Sequence, residues 1–205
     1  MSLHMLAIFL PLGLLYLAFW LWYGGHGRPM SPEEIEAALH QLRTTQPGHD
    51  NSADIEDVRQ LLASDDGKEF VMQNLVRYRA KALYPEGTHF SDDPREADKR
   101  YGKSIIGDLL RYGNMVIFIA RKSGDFVRPE GADAWHYVAM VRYRSRRDFV
   151  RFAIRANQAD KFMHKWAAIE KTHVFPVKPL ISLAAVRTLV AFSLFTIGVI
   201  LTRLL

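Results

Sequence analysis

Cysteine is absent from the 205 residues, which excludes disulfides, thiolate metal sites, iron–sulfur clusters and cysteine nucleophiles. Acidic residues are absent from both ends. Residues 1–23 hold no Asp, Glu, Lys or Arg, and residues 180–205 hold only Arg187 and Arg203. All 22 acidic and 25 of the 27 basic side chains therefore fall between them. That slight basic excess is too weak for a nucleic-acid binder, and no nucleic-acid reading motif accompanies it. Also missing are a Gly-rich phosphate loop, a His-Glu-x-x-His pair and a nucleophile elbow. The residues point to no cofactor. A proton-transfer or oxygenase-like reaction, or no reaction, is what such a chain leaves open.

The uncharged ends read as membrane segments. Residues 5–23 (MLAIFLPLGLLYLAFWLWY) would span about 28 Å as a helix, close to the hydrocarbon thickness of a bilayer. A cleaved signal peptide would call for a basic start and a small-x-small cleavage site, and MSLH and WLWYGG provide neither. Trp20, Trp22 and Tyr23 cluster at the exit, where amphipathic rings favour the headgroup layer, and Pro11 would kink the helix. At the other end, the apolar stretch between Arg187 and Arg203 is short for a span. Arg187 extends it by reaching the interface while residues 180–186 continue the helix; an intramembrane ion or substrate site is the other reading of Arg187. Arg28 after the first span, and Lys165, Lys171 and Lys178 before the second, predict a two-pass protein of the plasma (inner) membrane with its middle in the cytoplasm. Arg203 counts against this.

The expected organisation is a first span over 1–23, a joint and helical extension over 24–66, an α+β domain over 67–179 and a second span over 180–205. Gly24-Gly25-His26-Gly27 forms the joint. Ser31-Pro32-Glu33-Glu34 is a capping box that opens a helix with Ile35, Leu39 and Leu42 on one face. A second helix is expected over 54–63, stopped by Ser64-Asp65-Asp66-Gly67. Then Leu75-Val76-Arg77-Tyr78-Arg79 recurs as Met140-Val141-Arg142-Tyr143-Arg144. Each copy is followed by a helical stretch and another β-rich run, over 115–120 and 173–177. This is β-α-β twice over, the βαββαβ order of a ferredoxin-like sandwich with helices on one face of a four-stranded antiparallel sheet. Pro176 then requires an edge strand. Ser145-Arg146-Arg147-Asp148 opens another helix, and a further one is expected over 159–170, with Phe162, Met163 and Trp166 as core.

SDDGKEFVMQNLVRYR (64–79), ADKRYG (97–102) and AWHYVAMVRYRSRRDF (134–149) resemble a family of dimeric α/β-barrel proteins of unknown function. Asp65-Asp66-Gly67, Met72, Asn74, Leu75, Arg100, Tyr101, Gly102, Trp135, Tyr143 and Ser145 carry the resemblance, over about 63–177. His136 stands where the family has Asp, and Arg144 where it has Pro. The resemblance implies a homodimer whose two sheets face each other around a pocket. It implies no reaction, and the terminal helices lie outside its pattern.

Strand alternation puts Met72, Asn74, Val76 and Tyr78 on one face with Tyr137, Ala139, Val141 and Tyr143. With Tyr101 and His136, this set makes Asn74, Tyr78, Tyr137 and Tyr143 the ligand-binding candidates; a helix-packed core with hydroxyls at its rim is the plainer reading. The opposite face starts with His136 and carries Arg77, Arg79, Arg142 and Arg144, which suits an anionic ligand or a solvated or dimer-facing surface. His164, four residues after Asp160, has the placement of a haem ligand, or of a surface histidine beside Lys161 and Lys165. Asp65-Asp66 and Asp92-Asp93 read as turns. Residues 31–70 hold ten acidic and three basic side chains, and residues 142–172 nine basic and three acidic. Arg147, Arg151 and Arg155 form one stripe, expected to point outward and, with Arg187, to meet a lipid bilayer or a partner's acidic surface. Two functions fit. One is a dimerising accessory or ligand-binding protein that positions a membrane partner or an apolar small molecule. The other is a cofactor-poor enzyme, monooxygenase-, isomerase- or haem-degrading-like, acting on a membrane-partitioned molecule.

Overall fold

The computed structural model describes residues 3–24, 27–45, 52–180 and 186–204. In chain order the elements are α1 (Leu3–Tyr23), α2 (Pro32–Thr44), α3 (Ser52–Ala63), β1 (Phe70–Tyr78), α4 (Pro94–Arg111), β2 (Met115–Arg121), β3 (Tyr137–Tyr143), α5 (Arg146–Ala156), α6 (Ala159–Ala168), β4 (Ile169–Val177) and α7 (Val186–Leu204). They divide into two compact units, one of residues 1–25 and 179–205, the other of residues 26–178.

The first unit is a pair of helices, α1 and α7, both long and apolar enough to cross a membrane. Phe9 near the start of α1 lies beside Phe195 of α7, with ring centroids 6.2 Å apart, while the Arg187 guanidinium at the start of α7 sits 5.1 Å from the Tyr23 ring at the end of α1. The two helices therefore run antiparallel. A Cβ on Gly198 would overlap the Phe9 ring, so glycine is what allows the close approach there. Leu10, Leu14, Leu17 and Leu21 of α1 are exposed, as are Leu189, Phe192 and Phe195 of α7. Helix α1 runs through Pro11 unbroken. Gly25 and His26 of the expected joint, and residues 181–185 of the expected extension of the second span, lie outside the described residues.

The second unit is a mixed α+β domain around a four-stranded antiparallel sheet of order β2-β3-β1-β4. β4 is an edge strand, which is where Pro176, opposite Met72, is tolerated. β4 starts at Ile169, inside the stretch expected to be helical. The cause is pairing: Ile169 and Lys171 extend the ladder along Tyr78 and Arg77, with a register shift between those two, and Ile169 is buried against Val76 and Ala97. Helix α2 has the expected Ser31/Glu34 capping box. At Asp65-Asp66-Gly67 the side chains accept from Met30, Gly67 and Lys68 N–H groups. Gly67 adopts φ +71°, and a side chain there would strike the Gly27–Arg28 backbone.

One face of the sheet carries the core. Phe70, Met72 and Tyr143 pack with Leu61 of α3, Leu109 of α4 and Phe152 of α5, while Ile35, Leu39 and Leu62 join Val150 in a second cluster that ties α2 and α3 to α5.

Candidate functional site

The register sets Asn74 opposite Ala139 and Val76 opposite Tyr137, with Ile119 and Arg121 of β2 opposite the same two β3 residues. This continues the face that Phe70 and Met72 begin, but here the covering helix is α4. Its inward side presents Asp98, Tyr101, Gly102 and Ile105, spaced to share one helix face. Between that side and the strands lies a cavity of about 790 Å³. It is formed by a single chain, between sheet and helix, and opens to the surface. The pocket that the family resemblance implied, held between two facing sheets, is a different one.

The cavity's polar centre is Asp98. Tyr78 Oη donates to one of its carboxylate oxygens at 2.8 Å and Tyr137 Oη to the other at 3.3 Å. Burial raises the Asp98 carboxyl above the ordinary range, against the opposing effect of the two phenol hydrogen bonds. Tyr78, Tyr101 and Tyr137 are all raised, by burial first and by the nearby Asp98 next. A group that is costly to ionise, among phenols that stay protonated, can exchange a proton or hold a polar ligand atom. Apolar side chains, Val76, Ile105, Val116 and Val141, form much of the remaining wall.

Of the candidates expected from sequence, Asn74, Tyr78, Tyr101, His136, Tyr137 and Tyr143 all line this cavity. Asn74 donates to the Met72 and Ala139 carbonyls, each at 3.3 Å, so it ties strand to strand at the cavity floor. Tyr143 belongs more to the core, stacked on Phe70 at 5.5 Å and edge-on to Phe149. His136 does not join the arginine face. Its Nδ1 accepts the Tyr78 backbone N–H at 2.9 Å and its ring stacks on the Tyr78 ring, because it precedes β3 and turns back onto the end of β1. His164 lies elsewhere. Its Nδ1 is 2.9 Å from Tyr84 Oη and its ring is edge-on to Phe90, not oriented by an Asp160 hydrogen bond; burial and Arg100 lower its pKa.

Each arginine of the arginine-rich face has a partner within the unit. Arg77 pairs with Glu170 and Asp133, Arg142 with Glu69, and Arg144 with Asp148, while Arg79 donates to the Trp166 carbonyl. The α5 stripe is likewise engaged and does not simply point outward. Arg147 binds Glu34 at 2.9 Å and the Arg28 and Pro29 carbonyls, and Arg155 binds Asp108 and the Tyr112 hydroxyl. Arg151, the most exposed, reaches Asp148 at 3.4 Å. Glu34 is held down to about 2 by the Ser31 N–H and then by Arg147. The sequence could not show these partners, which lie up to 119 residues away.

Sequence reasoning missed Asp98, Arg95, Arg121, Ile105 and Gly102 as lining residues. The available signal was the spacing of 98, 101, 102 and 105 on one helix face, with a carboxylate where an apolar side chain would be ordinary.

No family model matches the chain, and no curated protein does. Two solved structures are similar. The crystal structure of methylated RPA0582 protein is 27% identical at a TM-score of 0.55, over 62% of this chain and 93% of its own. The crystal structure of RPA0582, described as a protein of unknown function from Rhodopseudomonas palustris, is 28% identical at a TM-score of 0.54, over 62% and 94%. The likeness speaks for the fold and brings no activity with it.

Proposed function

We propose that this protein is a membrane-anchored binding protein that holds an apolar small molecule between its sheet and α4. The observation that carries this reading is the cavity itself: about 790 Å³, within the roughly 300–1,000 Å³ usual for small-molecule sites, with apolar walls and one convergent polar cluster. The two apolar helices support a bilayer as the source of such a ligand. In this reading the second unit is cytoplasmic, a ferredoxin-like domain of the dimeric α/β-barrel type, and it pairs with a second copy or with a membrane-protein partner. Half-buried Leu75, Val138 and Met140, together with exposed Phe118, on the sheet face away from the core give such pairing an apolar surface to cover.

Solvent extraction and mass spectrometry of the purified full chain test the binding role. About one apolar molecule per chain is expected, lost in Ala139→Trp; an empty wild-type protein and an unchanged variant would remove the reading. Orientation is tested with Glu86→Cys, since the native chain has no other thiol. Reaction with an impermeant maleimide in intact cells would reverse the topology.

A second reading, a proton-transfer enzyme working on the same ligand, is favoured by one observation: Asp98 is a carboxyl raised by burial, touching two phenols in the cavity. Under it, Asp98→Asn abolishes turnover without abolishing binding.

A further inference from the structure

Among the arginines of the second unit, nine have an acidic partner. Arg95 and Arg121 have none among the described residues, and no side-chain hydrogen bond of theirs is formed there either. Arg43, Arg100 and Arg111 share that property, but none of the three lines the cavity. Arg95 and Arg121 both do. They come from different elements, the first turn of α4 and the end of β2, opposite Tyr137. Both act electrostatically on the Tyr78 phenol, each opposing its upward shift, so both charges bear on one end of the cavity. Lys122 lines the same end but is already paired with Asp125.

Two exposed guanidinium groups without a counterion, at one end of an apolar cavity, attract an anion. Guanidinium geometry suits a carboxylate, whose two oxygens accept its paired N–H donors. Asp98 is the one acid among the residues that line the cavity, and both of its oxygens already accept phenol hydrogen bonds. From this we infer that the cavity's ligand is an amphiphilic carboxylic acid, its carboxylate at Arg95 and Arg121 and its apolar body along Val76, Ile105 and Val141. The inference rests on the binding role proposed above and adds the ligand's chemical class.

The test uses two probes of equal body, 4-phenylbutyrate and 4-phenylbutanol, titrated into the full chain in phosphatidylcholine nanodiscs, with empty discs subtracted. Wild type is expected to bind the acid about tenfold more tightly than the alcohol, a preference that shrinks as salt rises. The Arg95→Gln/Arg121→Gln variant, which breaks no ion pair, should bind both probes alike and no worse than wild type binds the alcohol. Ile105→Trp should weaken both. Equal affinity of wild type for the two probes, or a preference that survives the double substitution, overturns the carboxylate assignment and leaves the cavity as a binding site. Failure of wild type to bind either probe overturns the binding role and the assignment together.

Discussion

The two ends of one sheet face have the same strands and the same alternation, yet one is filled and the other is open. At the filled end, Phe70 and Tyr143 meet Phe149 and Phe152 of α5, with ring centroids 5.0–6.0 Å apart. At the open end, Asn74 and Tyr137 look toward Asp98, Tyr101 and Gly102 of α4 across a cavity. The helices account for the difference. Helix α5 offers large apolar rings to the sheet, whereas α4 offers a carboxylate, a phenol and a glycine, none of which fills the space as a Phe would.

The largest expected effect breaks the filled end. Phe152 is buried among Tyr143, Phe70 and Leu109, and Phe152→Ala should cost about 3–5 kcal/mol, as truncating a buried aromatic does. Urea unfolding of the full chain in detergent measures it. Ile105→Ala at the open end should cost clearly less, because Ile105 is only half-buried where Phe152 is buried; equal losses would mean that the two ends are packed alike.

The contrast also explains what could be read from sequence. Period-two alternation placed Asn74, Tyr78, Tyr137 and Tyr143 on one face, because pleating is a local property of the chain. Pro176 marked an edge strand and Asp65-Asp66-Gly67 a turn for equally local reasons. Whether that face was core or cavity was not legible, since it depends on which helix lies over which half of the strands. The charge pattern misled for the same reason: Arg147 looked outward by helix spacing, but its acceptor Glu34 is brought to it only by the fold.

A second way to sharpen the comparison is to give α4 a better helix residue. Gly102 has no positive φ, and a Cβ there would meet nothing within 4 Å. Neither backbone strain nor close packing calls for glycine at this position. Gly102→Ala should therefore stabilise the domain by about 1 kcal/mol through helix propensity, seen as a higher unfolding midpoint. A destabilised variant would mean that the helix needs the absent side chain after all.

Asp98 marks the open end through pH. Burial raises its carboxyl in the folded state, so the folded protein holds the proton more tightly than the unfolded chain. The resulting stabilisation is complete below the unfolded value, near 3.8, and is lost as pH rises through the raised folded value. Asp98→Asn is neutral throughout. Relative to wild type, the variant should gain stability as pH increases across that window. Parallel stability curves for the two proteins would show that Asp98 is not held in a costly environment.

The smallest effect is expected at the cavity rim, and its smallness is what distinguishes the two ends. At the filled end charge is structural: Arg144 reaches the fully buried Asp148 at 2.7 Å, and Asp148 also accepts the Ser145 hydroxyl. Removing that arginine leaves a carboxylate buried with one partner fewer, a loss on the order of 3 kcal/mol. Arg121 at the rim is exposed and has no such partner among the described residues. Arg121→Gln therefore removes no contact on which folding relies and should shift stability by less than about 0.5 kcal/mol, the usual range for exposed positions. Paired unfolding curves of Arg144→Gln and Arg121→Gln make the comparison. If the rim substitution is as costly as the buried one, Arg121 supports the fold, and its lack of an acidic partner is no longer evidence that it waits for a ligand.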